Sequence, residues 1–219
     1  MFERLGGWVR RLLLVYLGLL VLESAASAAV IAALSGPADL DLTPAQQSVA
    51  SWSLLTMSDS GYAQAAVFIV IVVLFLRLLY KAVQQAKGFT VPFTEVSPGW
   101  AVGYWFIPFL NLYRPFQVVK ALFKACAQEA GPAAKPAAGE QLLGAWWALF
   151  LISNAASWAL ARSDPDFNSR AGITAYCGYS IVCNLLVIAG LLLFAAVVKR
   201  LVVGLGVASA GRTLPGTAA

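Results

Sequence analysis

The chain has 219 residues, 60% of them hydrophobic and only 11% charged, with a formal charge of +5. A soluble domain carries about 25% charged residues to keep its surface in water, so this composition excludes an ordinary soluble fold and makes lipid the solvent for much of the surface. No basic stretch is long enough to form a nucleic-acid-binding domain, and the absence of histidine removes the commonest general base and transition-metal ligand.

Residues 1–11 carry Arg4, Arg10 and Arg11, and Leu12–Leu34 is then apolar apart from Glu23. Its 23 residues suffice to cross a hydrocarbon core of about 30 Å. Two readings are open here. The basic start, the Leu12–Leu22 core and Ala25-Ala26-Ser27-Ala28 also resemble a secretory signal. A retained span is favoured because apolar residues continue to Leu34.

Residues 35–61 hold Asp39, Asp41 and Asp59 and no Lys or Arg. Thr43-Pro44-Ala45-Gln46 has the form of a capping box with Pro at the first helical position. Val49, Trp52 and Leu55 follow at helical spacing, which predicts a short helix on the membrane surface with Trp52 at headgroup level. The second span covers 62–86, and Lys87-Gly88 closes it.

The stretch Ser97–Gln117, SPGWAVGYWFIPFLNLYRPFQ, is apolar and aromatic but broken by Pro108 and Pro115. Ser97 caps a helix start with Pro98 in its first turn. Gly99 and Gly103 form a GxxxG pair suited to close helix approach. Pro108 and Pro115 cannot donate to the carbonyls of Tyr104 and Asn111. Irregular backbone at membrane depth survives only when protein or trapped water covers it. The expectation is a re-entrant hairpin walled in by the spans. Residues 115–128 follow as an amphipathic interfacial helix, with Gln117, Lys120, Lys124 and Gln128 on its polar side.

EAGPAAKPAAG at 129–139 reads as a linker. The third span covers 141–161 and the fourth 172–199. Residues 204–219 read as a disordered tail, leaving 1–203 as a single membrane domain. The predicted fold class is therefore an all-α integral membrane protein, four transmembrane helices around a Pro-broken re-entrant or interfacial helical hairpin. With both termini and the hairpin on the cytoplasmic side, thirteen of the fifteen Lys and Arg lie inside. Only Arg162 and Arg170 lie outside, in keeping with the positive-inside rule. A fully crossing 99–120 segment would make five spans and expose Lys199 and Arg200, or Arg10 and Arg11, on the wrong side.

The central motif, SPGWAVGYWFIPFLNLYRPFQVVKALFKA, preceded by FLRLLYKAVQQA and followed by LLGAWWALFLIS, resembles the bacterial family called domain of unknown function 4328. The resemblance rests on Ser97, Pro98, Gly99, Trp100, Gly103, Trp105, Pro108, Asn111, Pro115 and Val118. Tyr104 and Phe123 stand where that family has Trp. It covers roughly 62–200 and implies a multi-pass protein of the bacterial inner membrane. It implies no activity.

Glu23 falls near the midplane of the first span, where an ionised carboxylate costs ~2.5–3.5 kcal/mol on insertion scales. Asn154 and Asn184 lie at similar depth, and Asn111 is near the hairpin turn. Together they make a candidate ligand- or ion-binding cluster, set against simple interhelical bonding. Arg114, Lys120 and Lys124 are candidates for contact with anionic lipid or a protein partner. Cys126, Cys177 and Cys183 form no CxxC and read as small buried hydrophobes. No catalytic residue, metal site or cofactor is indicated. The leading expectation is a non-enzymatic protein that binds a partner or lipid through 97–128. The alternative is a small transport or channel protein, a homo-oligomer with a polar site around Glu23.

Overall fold

The computed structural model describes residues 2–35, 43–90, 92–131, 137–164 and 169–210. Helices α1 (Phe2–Leu34), α2 (Pro44–Ala86), α3 (Pro98–Gly103), α4 (Pro108–Asn111), α5 (Arg114–Glu129), α6 (Ala137–Ala161) and α7 (Arg170–Ala210) follow in order, with no strand among the described residues. The protein is all-α. Four stretches are long and apolar enough to cross a membrane: Phe2–Leu34, Gly61–Ala86, Glu140–Ala161 and Arg170–Ser209.

The capping box forms at the start of α2. The Thr43 amide donates to Gln46 Oε1 at 2.9 Å, and the Gln46 amide returns a bond to Thr43 Oγ1 at 3.3 Å. The short surface helix expected after it is not separate. It runs on without a break into the second span as one helix of 43 residues. No proline occurs between Ala45 and Val91, and Gly61 alone does not interrupt a hydrogen-bonded ladder. The helix ends where the Lys87, Gly88 and Phe89 amides turn back onto the carbonyls of Val83, Gln85 and Ala86. Phe89, Phe93 and Val96 of the following loop are buried.

Proline shapes the next stretch. Ser97 caps α3 by accepting the Trp100 amide at 3.3 Å, with Pro98 in the first turn. Ile107 is forced into extended backbone (φ −98°, ψ 113°) ahead of Pro108, which separates α3 from α4. Tyr113 (φ −140°, ψ −34°) breaks the chain again before α5. The long amphipathic helix α5 buries Val118, Val119, Leu122, Ala125 and Cys126. It closes through Gly131, whose positive φ of 82° a residue with a side chain seldom adopts.

Two expectations at the ends of elements are corrected. α6 begins at Ala137, inside the stretch read as a linker, because Ala-Ala-Gly-Glu lies beyond Pro136 and can join the helix. α7 continues to Ala210, so 204–210 are helix rather than disordered tail. This last part of α7 packs against α5, where the Gly204 backbone lies beside Cys126, and Leu205 and Ala208 are buried. Residues 211–219 of the expected tail lie outside the described residues.

Contacts group the chain into two compact units. The first comprises Met1–Arg11, Val70–Ala148 and Leu192–Ala219. Its core is aromatic at the centre, with Phe75 set edge-on to Trp105 and Phe194 at 5.5 and 4.9 Å. Leu78, Leu79, Val83, Leu122, Leu143 and Leu201 are fully buried around it. Gln85 Nε2 donates to the Leu205 carbonyl at 3.0 Å. The second unit comprises Leu12–Ile69 and Leu149–Leu191. Val30, Leu34 and Cys177 form a buried cluster in it with Ile31 and Ile173, and Tyr16 meets Phe68 at 6.2 Å.

Candidate functional site

In the first unit the broken segment is held by its aromatic side chains. Trp105 sits edge-on to Phe75 and to Trp147. Trp147, 7% exposed, donates its indole N–H to the Leu112 carbonyl at 3.0 Å. That bond satisfies an acceptor which the break between α4 and α5 would otherwise strand. Asn111 donates its amide to Ile107 O at 2.8 Å, while its buried Oδ1 has no hydrogen-bond partner among the described residues. The expected helix contact through Gly99 and Gly103 does not occur among the described residues. A Cβ at Gly99 would meet nothing within 4 Å, and one at Gly103 would meet only Trp100 of the same helix. At six residues, α3 is too short to present a glycine groove to a neighbour.

The outer side of this segment is apolar and cationic. Phe106 and Phe109 are 71% and 82% exposed, and Trp100, Leu112 and Tyr113 are exposed beside them. The Arg114 guanidinium lies 5.7 Å from the Tyr104 ring and 5.6 Å from the Tyr113 ring, a distance at which a cation is attracted to the ring face. Its Nη1 donates to Gln117 Oε1 at 3.2 Å. Lys120 pairs with Glu140 of α6 at 3.4 Å, and Lys124 is exposed. Glu129, at the end of α5, bonds to the turn that follows α2. Its carboxylate accepts the Thr90 amide at 2.8 Å and the Thr90 hydroxyl at 3.3 Å.

In the second unit, Glu23 joins three helices. Gln64 of α2 donates Nε2 to Glu23 Oε2. Ser180 of α7 donates its hydroxyl to Glu23 Oε1 at 3.2 Å. The next residue on α1, Ser24, donates to Leu20 O at 2.8 Å and accepts Asn184 Nδ2 at 3.3 Å. Glu23 and Asn184 thus bond across the same pair of helices, α1 and α7, through neighbouring but separate hydrogen bonds. Asn154 does not join them. It is exposed and bonds the Phe150 carbonyl of its own helix at 2.7 Å, the usual recourse of an amide with no neighbour to reach. Asn111 belongs to the first unit.

Gln64, Ser24 and Ser180 escaped the sequence reading. One signal was available: Ser180 and Asn184 are four apart on an apolar helix, hence on one face. Gln64 also shows the level of the network, since it lies three residues into the apolar stretch that starts at Gly61. The carboxylate thus meets α2 near the end of that stretch rather than at its middle.

No group of three or more His, Cys, Asp or Glu that could hold a metal occurs among the described residues. The pattern defining the family described as domain of unknown function (DUF4328) matches residues 39–202. No curated protein and no solved structure matches the chain.

Proposed function

The chain belongs to the DUF4328 family, and from that premise we propose that it is a non-enzymatic protein of the bacterial inner membrane whose 97–129 segment binds anionic lipid at the cytoplasmic face. The observation that carries this reading is the outer side of the segment. Trp100, Phe106, Phe109 and Tyr113 are exposed in the same segment as exposed Arg114 and Lys124, and Arg114 lies against the Tyr104 and Tyr113 rings. Aromatic rings of this kind favour the headgroup region, and each cation near an anionic surface adds about 1 kcal/mol.

The re-entrant reading has two supports. The helices α3, α4 and α5 have 6, 4 and 16 residues, each below the roughly 20 that a crossing helix needs. The whole segment also shares one compact unit with the end of α2 and the start of α6. Sidedness is supported by charge. Arg4, Arg10, Arg11, Arg77, Lys81, Lys87, Arg114, Lys120, Lys124, Lys199 and Arg200 all fall in the first unit. Among the described residues only Arg162 and Arg170 are cations of the second. Such segregation matches a cytoplasmic placement of the first unit, with both chain ends inside.

The test is lipid retention. Full-length protein reconstituted with phosphatidylglycerol or with phosphatidylcholine is extracted and its bound lipid counted by native mass spectrometry. Phosphatidylglycerol should be enriched on the protein, and Arg114→Gln with Lys124→Gln should reduce that enrichment about ten-fold or more, from about 1 kcal/mol per cation. Equal retention of both lipids, or an unchanged double variant, rejects the proposal. The competing transport reading is weakened at Asn154, which is exposed and bonds the Phe150 carbonyl of its own helix.

A further inference from the structure

The geometry points to a binding site for a monovalent alkali cation at Glu23, in the second unit and independent of the lipid-binding segment. The first argument is charge balance. Glu23 is half-buried and both of its oxygens are engaged, yet every partner is neutral: Gln64 Nε2 on one oxygen and the Ser180 hydroxyl on the other. No ion pair to Glu23 exists among the described residues. Arg170 of α7 is ten positions before Ser180 and Arg11 is twelve before Glu23, rises of about 15 and 18 Å along their helices. One carboxylate without a counter-charge is balanced by one single positive charge, not by a divalent ion, which asks for several carboxylates.

The second argument is the donor set. Hard cations take oxygen ligands, and oxygen-bearing neutral side chains surround this carboxylate. A carboxylate offers about four lone-pair positions, of which the two hydrogen bonds occupy two. Gln64 bonds through its nitrogen and Asn184 through its nitrogen, and each amide also carries a carbonyl oxygen, the kind of ligand a hard cation takes. Ser180 and Ser24 add hydroxyls. The third argument is access. Gln64 stands near the start of the apolar stretch of α2, next to the helical turns that carry no Lys or Arg. An ion arriving from that end meets no like charge on α2.

The experiment uses the full chain in nanodiscs. Its melting midpoint is followed by tryptophan fluorescence in sodium, potassium, lithium and choline chloride at equal ionic strength. A bound alkali ion should raise the midpoint saturably, by about 3–6 °C at ten times its dissociation constant, relative to choline. Glu23→Gln, which keeps an oxygen to accept Ser180, should abolish the response, and Ser180→Ala should weaken it. Indifference of the unaltered protein to cation identity overturns the site and leaves the network as helix-to-helix bonding alone. A Glu23→Gln protein that responds like the parent overturns it as well. Should Glu23→Gln fail to fold, the parent series and Ser180→Ala still decide the matter.

Discussion

Trp147→Phe is the substitution that reads most directly how the broken segment is held. Trp147 packs at 5.9 Å from Trp105 and 5.4 Å from Trp146 and donates to the Leu112 carbonyl at 3.0 Å. Phenylalanine retains most of the ring contact and deletes the donor. An acceptor left without a partner costs about 1–3 kcal/mol when buried, and toward the lower end for this part-buried bond; part of an aromatic pair, about 0.5–1.5 kcal/mol, is lost with the smaller ring. The expected destabilisation is about 2 kcal/mol, or about 4–8 °C in melting midpoint for a chain of this size. Trp147→Ala should cost more, about 3–5 kcal/mol, because a cavity is added. Hydrogen exchange followed by mass spectrometry locates the effect. Amides of 106–113 should exchange faster in Trp147→Phe while those at the centre of α7 keep their protection. If stability falls but exchange rises evenly through the chain, the indole bond is not what secures the segment.

Other predictions concern packing, the thiol and the surface. Gly7 of α1 has open space beside it, whereas a Cβ at Gly6 would stand 3.1 Å from Val202 Cγ2. Gly7→Ala should stabilise by up to about 1 kcal/mol from helix propensity, and Gly6→Ala should lose that gain to crowding; equal midpoints would contradict the contact with α7. Burial, with the Glu129 charge adding to it, pushes the Cys126 thiol up from 9.0 to about 12. Maleimide should therefore leave Cys126 unmodified near neutral pH until the protein unfolds. The unfolded chain ionises first, so this thiol subtracts stability as pH climbs above its ordinary value and goes on doing so to about 12. A flat stability profile in that window would contradict the burial. Lys120 and Glu140 are 40% and 29% exposed in their side chains. Lys120→Gln should cost at most about 1 kcal/mol and less in high salt, as equilibrium unfolding at two salt concentrations would show.

What the sequence revealed and what it hid follow from the range of the forces involved. The apolar stretches, Ser97 as cap, Thr43 with Gln46, and the breaks ahead of Pro108 and Pro115 are local, and each has a residue that announces it. The merger of the surface helix with the second span was hidden because helical spacing gives no sign of where a helix stops when no proline or cap intervenes. The Gly99 and Gly103 pair misled because spacing says nothing of whether a partner is present. Glu23 was conspicuous as a charge in lipid. Its partners were not, because Gln64 and Ser180 lie 41 and 157 positions away and polar residues near span ends are ordinary. The hold of Trp147 on Leu112 was equally hidden, since a backbone carbonyl carries no sequence signature.

The central claim is that the chain enters at Ser97 and returns by the same face, and accessibility of engineered cysteines tests it. Cys126, Cys177 and Cys183 are buried, so a membrane-impermeant maleimide meets a quiet background. Cysteine placed at Glu95 and, separately, at Gln128 should resist the reagent in intact cells and react with it in inverted membrane vesicles. Labelling of one position in cells and of the other only in inverted vesicles would mean that the segment crosses the bilayer, and the account would be wrong.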